Sequence, residues 1–369
     1  MTRATWQRGA DLLRARIVTT AHAVGNRFPR HADPPTGEWA TSPDGEWSGG
    51  HWVGMCWLAA LPQGEDRYAD WARRWSARLR SRVASETAFR GFLFYYASVL
   101  GAVLYGDVTA RDDAVSAAEA LARTFDKTAG IVPLGAADVA PDAGLTETRI
   151  DTLPGVALLL WAAREAATPQ WRELAIAHAR RHVELCVRTE GWVLQAASLD
   201  PVTGVVTRRY CHDGVHDQST WARAQAWAIL GYTLMYQWSG ESDLLDVAHR
   251  TADWWLANSS YDHVAFWDFD DPASFNATRD TAATAIVAAA LLKLGALTPD
   301  ETRRVAYRRE AEASTAALVE RYLDQRGVLS HGCDDKRRQL ATKNELIWGS
   351  YYLLEAVEVL SGRLLPTAI

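Results

Sequence analysis

Cysteine is scarce in this 369-residue chain: Cys56, Cys186, Cys211 and Cys333 are its four, far apart and without a CxxC pair. That spacing excludes a disulfide framework and clustered thiolate ligands, and it predicts reduced thiols in a cytoplasmic protein. No metal ion or other cofactor is expected, because clustered metal-ligand spacing is missing and no phosphate-cradling Gly-x-Gly-x-x-Gly follows a strand. Long uncharged apolar runs are lacking, so no membrane span is expected. The first ten residues, MTRATWQRGA, carry charges within the first turns and do not read as a secretory leader. An excess of positive charge is absent too. Lys plus Arg number 39 against 45 Asp plus Glu, a formal net charge of −6, which leaves no footprint for nucleic acid or an anionic membrane.

What is abundant is tryptophan, at 17 residues, several of them where a helix would begin. Strand-like alternation is rare and helical periodicity dominates. Two kinds of helix alternate along the chain. Segments 50–61, 89–104, 150–166, 222–238, 279–294 and 347–360 are apolar on nearly all sides. Segments 4–24, 68–83, 110–125, 170–187, 241–257 and 303–322 are amphipathic. A helix apolar all round is buried, and one with a polar stripe faces water. Six of each predict an all-α fold, an (α/α)6 barrel of six helical hairpins with an apolar inner ring and an amphipathic outer ring. With no linker-like composition, residues 1–369 are expected to form a single glycoside-hydrolase-like domain. The loops before inner helices (34–50, 130–149, 200–218, 266–278 and 331–344) are long, and such loops are usually functional.

Side chains at the starts of the inner helices therefore converge on one face. They include Trp47 and His51-Trp52, Arg149-Ile150-Asp151, the run Asp217-Gln-Ser-Thr-Trp-Ala-Arg-Ala-Gln-Ala-Trp227, Arg279-Asp280, and Glu345 with Trp348. Indole faces suit sugar C–H surfaces, and guanidinium forks suit hydroxyls and carboxylates. Asp151 precedes a long apolar wall and has two readings. It is a helix N-cap, or a carboxyl whose desolvated pKa lets it donate a proton near neutral pH. Asp280 reads as an N-cap or a partner of an arginine. His212, in Cys-His-Asp-Gly, reads as a loop contact or a donor to substrate. Arg223 and Trp227 lie one helical turn apart and share a face, whereas Gln225 projects elsewhere.

The chain resembles the unsaturated glucuronyl hydrolases and, more distantly, the unsaturated rhamnogalacturonyl hydrolases. The resemblance runs through Asn26–Pro29, Gly50–Gly54, Gly91–Phe94, Ile150-Asp151, Ser219–Trp227, Trp267–Phe269, Arg279–Ala285 and Ile347–Tyr352. It implies hydrolysis of a 4,5-unsaturated uronyl sugar, a vinyl ether. A carboxylic acid protonates C4, water adds at C5, the hemiketal opens and the partner sugar leaves. The acid's position matches Asp151, which the resemblance also makes the base toward water. The substrate contacts expected are Trp52, Phe89, His212, Arg223, Gln225, Trp227 and Trp348, and the expected partner is a small sugar or oligosaccharide. Nothing in the sequence fixes an oligomeric state.

The resemblance also has a gap. The family's His-Asp before the Gly-Phe of the second inner helix is here Ala88-Phe89, and Ser350 replaces an aspartate after Trp-Gly. Three outcomes follow: a changed, less hydroxylated substrate; a substitute acid such as Glu86, Asp217 or Asp280; or a catalytically impaired protein that only binds sugar. A sugar epimerase on the same barrel is a further alternative, since fold does not fix function. That chemistry calls for a pair of bases, for which His51, His212 and His216 are the candidates.

Overall fold

The computed structural model describes residues 3–61, 66–135, 146–271 and 277–369. Parts of two loops singled out above, 130–149 and 266–278, lie outside the described residues. The inner helices are α2 (Gly49–Ala59), α4 (Arg90–Phe94) continuing through a π turn (Tyr95–Val99) into α5 (Leu100–Tyr105), α7 (Leu153–Glu165), α9 (Ala222–Ser239), α11 (Thr281–Leu297) and α13 (Ile347–Leu360). Between them run α1 (Arg3–Val24), α3 (Asp66–Leu79), α6 (Val108–Arg123), α8 (Pro169–Cys186), α10 (Ser242–Asn258) and α12 (Glu301–Arg321). Neighbouring inner helices pack on one another around the circle, and α13 closes on α2; each outer helix lies against an inner one. This is the expected (α/α)6 barrel. Every residue of α2 is buried, whereas α3 buries only its Tyr68, Ala69, Ala72, Trp75, Ser76 and Leu79 stripe. Among the described residues no helix is long and apolar enough to cross a membrane.

The second inner helix is not the continuous one that its apolar run predicts. Its π turn coincides with an Ala97 carbonyl that accepts from Trp57 Nε1 at 2.8 Å and Ser76 Oγ at 3.2 Å. Side chains of the neighbouring helices thus compete for a carbonyl of the helical ladder.

Among the described residues, two small antiparallel sheets, which the sequence reading did not anticipate, rim one end of the barrel. One orders β2 (Trp39–Ser42), β1 (Phe28–Ala32) and β6 (Glu345–Leu346). The other orders β3 (Glu147–Arg149), β4 (Ala196–Leu199) and β5 (Val206–Tyr210). All are two to five residues long, too short for a period-2 signal. At the same end the inner helices approach backbone to backbone. A Cβ on Gly91 would stand 2.4 Å from the Gly155 carbonyl oxygen, and one on Gly50 2.5 Å from that of Phe92. Glycine at these two positions lets α2, α4 and α7 draw together beneath the mouth.

Candidate active site

The mouth holds a cavity of ≈ 350 Å³ lined on its apolar side by Trp47, Phe89, Phe92, Trp221, Trp227 and Leu340. Its polar side brings Arg30, Arg149, Asp151, His212, Asp213, Arg223, Asp334, Asp335 and Arg338. Such a cavity offers a sugar both ring faces and forked donors.

Asp151 sits where the chain turns from β3 into α7, within one 3₁₀ turn, Ile150–Thr152. No side-chain cap bond is formed at the start of either helix there. The N-cap reading therefore does not describe this carboxylate. Instead Oδ2 accepts from Gln195 Nε2 at 2.8 Å, and Oδ1 is buried without a hydrogen-bond partner among the described residues. Burial pushes the Asp151 carboxyl up to about 7. The Gln195 hydrogen bond opposes that shift, the negative charge of Asp213 adds to it, and Arg149 and Arg223 oppose it.

Gln195 and Asp213 were not singled out from the sequence. The sheet β3-β4-β5 assembles them: Ile150 N donates to the Gln195 carbonyl at 2.8 Å, which sets that side chain beside Asp151. The same Gln195 Nε2 donates to Asp213 Oδ2 at 2.7 Å, while its Oε1 accepts from the backbone N–H groups of His212 (2.9 Å) and Asp213 (3.0 Å). Every polar atom of the Gln195 amide is thus engaged in holding two carboxylates and the loop that carries one of them. Beyond that loop, Asp268 Oδ2 accepts from Val215 N at 2.9 Å and Ser219 Oγ at 2.7 Å.

The predicted contacts divide. Asp151, Phe89, His212, Arg223 and Trp227 line the cavity. Phe89 joins Trp47 and Phe92, with ring centroids 6.0 and 6.1 Å away, and Trp227 abuts Phe92 at 5.2 Å. His212 stands at the polar rim, its Nε2 3.4 Å from an Arg338 nitrogen.

Three contacts are corrected. Trp52 is fully buried and meets Trp75 of α3 edge-on at 5.2 Å; on α2 it points outward, and the axis side belongs to His51. Gln225 is buried and donates to the carbonyls of Gly191 and Thr251, both at 2.9 Å, away from the cavity. Trp348 is sealed behind the wall, 4.5 Å from Trp47, with the Arg223 guanidinium 5.7 Å from its ring. A single helical turn holds residues of opposite facing: nearness to the start of α2 misplaced Trp52, whereas the spacing that turns Gln225 away from Arg223 and Trp227 holds.

Arg223 lines the cavity but is committed elsewhere. It bonds Asp280 Oδ2 at 2.8 Å and the carbonyls of Cys333 and Asp334, and it stacks on Trp221 at 4.4 Å. Asp280 is both the N-cap of α11, accepting from Ala282 and Ala283 N–H, and the ion-pair partner of Arg223. Glu345 pairs with Arg16 at 2.7 Å, outside the cavity. Of the acids considered as substitutes, Asp280 is consumed by that pair, Asp217 bonds Arg208 at 2.5 Å, and Glu86 is exposed; none lines the cavity. His51 is fully buried, held down to about 3 by burial, and stacked on Tyr96 at 4.4 Å; His216 is exposed. His212 is thus the one of the three candidate bases that reaches the cavity. The chain also carries two His-x-x-x-His spacings, His212 with His216 in the loop ahead of α9, and His178 with His182 on α8. Both rings of the α8 pair are buried: His178 Nδ1 accepts from Val132 N at 3.0 Å, and His182 Nε2 bonds Thr148 Oγ1 at 2.8 Å. They brace the loop ahead of α7.

No family model matches the chain. The unsaturated glucuronyl hydrolase of Bacillus sp. (strain GL1) is 31% identical over 343 residues, which covers 90% of this chain and 90% of that protein. The crystal structure of unsaturated glucuronyl hydrolase from Bacillus sp. GL1, responsible for the degradation of glycosaminoglycan, matches with a TM-score of 0.90 at 30% identity over 96% of both chains. That of an unsaturated glucuronyl hydrolase specific for heparin matches with a TM-score of 0.89 at 25% identity over 97% of both.

Proposed function

Because this chain belongs to the unsaturated glucuronyl hydrolase family, we propose that it is a glycosidase that releases a 4,5-unsaturated uronyl-type sugar from a small saccharide, with Asp151 donating the first proton. The observation that carries this reading is the Asp151 carboxyl: it lines the cavity, caps no helix and titrates at about 7. A carboxylic acid still protonated near neutrality can donate to C4 of the enol ether. Trp227, Trp47 and Phe92 offer faces to the sugar, and His212 and Arg338 offer donors at the rim.

Phe89 narrows the substrate. Its ring takes cavity surface where the family resemblance expects a carboxylate. A hydroxyl placed there would lose a partner, at about 1–3 kcal/mol. The preferred substrate is therefore one with fewer hydroxyls, or an apolar substituent, on the side that meets Phe89. The chain acts as one barrel domain, and its four buried, unpaired thiols support a cytoplasmic setting.

A panel of lyase-generated unsaturated disaccharides, followed by ultraviolet absorbance, tests the reading. Hydration bleaches the enol-ether band. A panel on which the wild-type protein leaves that band unchanged, while still binding the sugars, would replace the hydrolase with the binding-only alternative.

A further inference from the structure

A side chain that the family resemblance does not assign stands beside the acid. Asp213 lines the same cavity as Asp151, and one nitrogen, Gln195 Nε2, bonds both carboxylates at 2.8 and 2.7 Å. Two oxygens on one amide nitrogen lie within about 5.5 Å of each other, side by side on one wall. The Asp213 side chain is the more accessible, at 17% exposure, whereas Asp151 as a whole is 8% exposed. Among the described residues no cationic side chain forms an ion pair with either carboxylate at bonding distance; His212 Nε2 stays 3.9 Å from Asp213 Oδ1.

We propose that the two halves of the hydration are divided between these aspartates, Asp151 giving the proton to C4 and Asp213 taking the proton of the attacking water, with Gln195 as the positioning residue. This inference rests on the hydrolase reading above and departs from one in which Asp151 performs both steps. The C4=C5 electron pair forms the new C4–H bond with the Asp151 proton, leaving positive charge on C5 and the ring oxygen. The water oxygen bonds C5, and its proton passes to Asp213. The hemiketal opens and the partner sugar leaves; a proton returned from Asp213 to Asp151 through solvent restores the starting state.

Placement beside the acid suits the chemistry. Hydrogen and hydroxyl add to adjacent carbons, so acid and base must reach two atoms one bond apart. A shared amide holds them at that scale without neutralising either. The amide is itself fixed, since its oxygen is engaged by two backbone N–H groups.

The test compares wild type, Asp213→Ala and Asp213→Asn on an unsaturated disaccharide that the wild type bleaches, with and without sodium formate. Asp213→Ala is expected to lose about 10²–10⁴ in kcat with KM close to wild type. Formate, a small carboxylate that fits the vacated space, is expected to restore at least roughly tenfold of that loss. Asp213→Asn, which fills the space, is expected to be as slow and not rescued. A folding defect or a merely structural role would produce neither the KM–kcat split nor the difference between the two variants. An Asp213→Ala enzyme within about threefold of wild-type kcat overturns the division of labour and leaves the hydrolase reading standing. If the alanine variant does not fold, a folded asparagine variant with wild-type kcat overturns it equally. A wild type inactive on the whole panel removes both.

Discussion

Two aspartates begin inner helices of this barrel, and the protein treats them in opposite ways. Asp280, before α11, is fully buried yet surrounded by donors: the Ala282, Ala283 and Cys333 N–H groups and the Arg223 guanidinium. Asp151, before α7, has the Gln195 amide on one oxygen, no such partner on the other among the described residues, and a second carboxylate nearby. Both carboxyls are raised by burial, but Asp280 has an ion pair to offset the cost and Asp151 has none among the described residues. A buried acid whose charge is compensated is a structural part; one left uncompensated holds a proton that it can give away.

The contrast breaks most sharply under asparagine substitution. Asp151→Asn is expected to lower turnover by about 10²–10⁴-fold with its fold intact, read as ultraviolet bleaching alongside a melting curve. Its stability should rise above neutral pH. The folded-state pKa of about 7 lies above the ordinary 3.8, so ionisation works against the folded state. That penalty is absent below the ordinary value, grows as pH climbs towards 7 and is complete beyond it; removing the charge contributes about 1–3 kcal/mol there. A variant that melts earlier than wild type at pH 8 would refute the account of Asp151.

Asp280→Asn should do the reverse. It leaves the Arg223 guanidinium buried without its counter-charge and costs about 3–5 kcal/mol in denaturant unfolding. Equal stability losses in the two variants would erase the distinction between the acids.

Placing a carboxylate at the Phe89 position of the same cavity sharpens the comparison further. Ala88→His with Phe89→Asp is expected to raise kcat/KM on ordinary chondroitin-type unsaturated disaccharides about tenfold, by giving their hydroxyls a partner. High wild-type activity on those disaccharides would show that Phe89 is no barrier to them.

The smallest expected effect is on pH dependence. With Asp151 as the proposed proton donor, kcat/KM should fall as pH rises through about 7. The groups bearing on it are Gln195, Asp213, Arg149 and Arg223. Gln195→Leu removes a hydrogen bond that favours the charged form and should move that limb up by roughly half a unit to one unit. A limb that stays put, or moves down, would sever the link between Gln195 and the acid.

Much of this was legible in the chain. The apolar and amphipathic segments fall on the observed inner and outer helices within a few residues, because a helix buried on every side must be apolar on every side. The starts of those helices were also readable, and Asp151, Phe89, His212, Arg223 and Trp227 all reached the cavity. Trp52, Gln225 and Trp348 did not, because position along a helix does not say which neighbour its face will meet.

Hydrophobic periodicity by itself therefore determined the ring architecture, and the long loops ahead of the inner helices marked the end where the cavity lies, since both are set by local patterning. Only the tertiary structure decided that Asp151, Gln195 and Asp213 share one hydrogen-bonded centre. They come from a helix start, the edge of a strand and a loop, joined by a sheet of three- to five-residue strands. Pairing between segments that short leaves no period in the sequence, and the pKa of Asp151 depends on the burial and charges that this pairing creates.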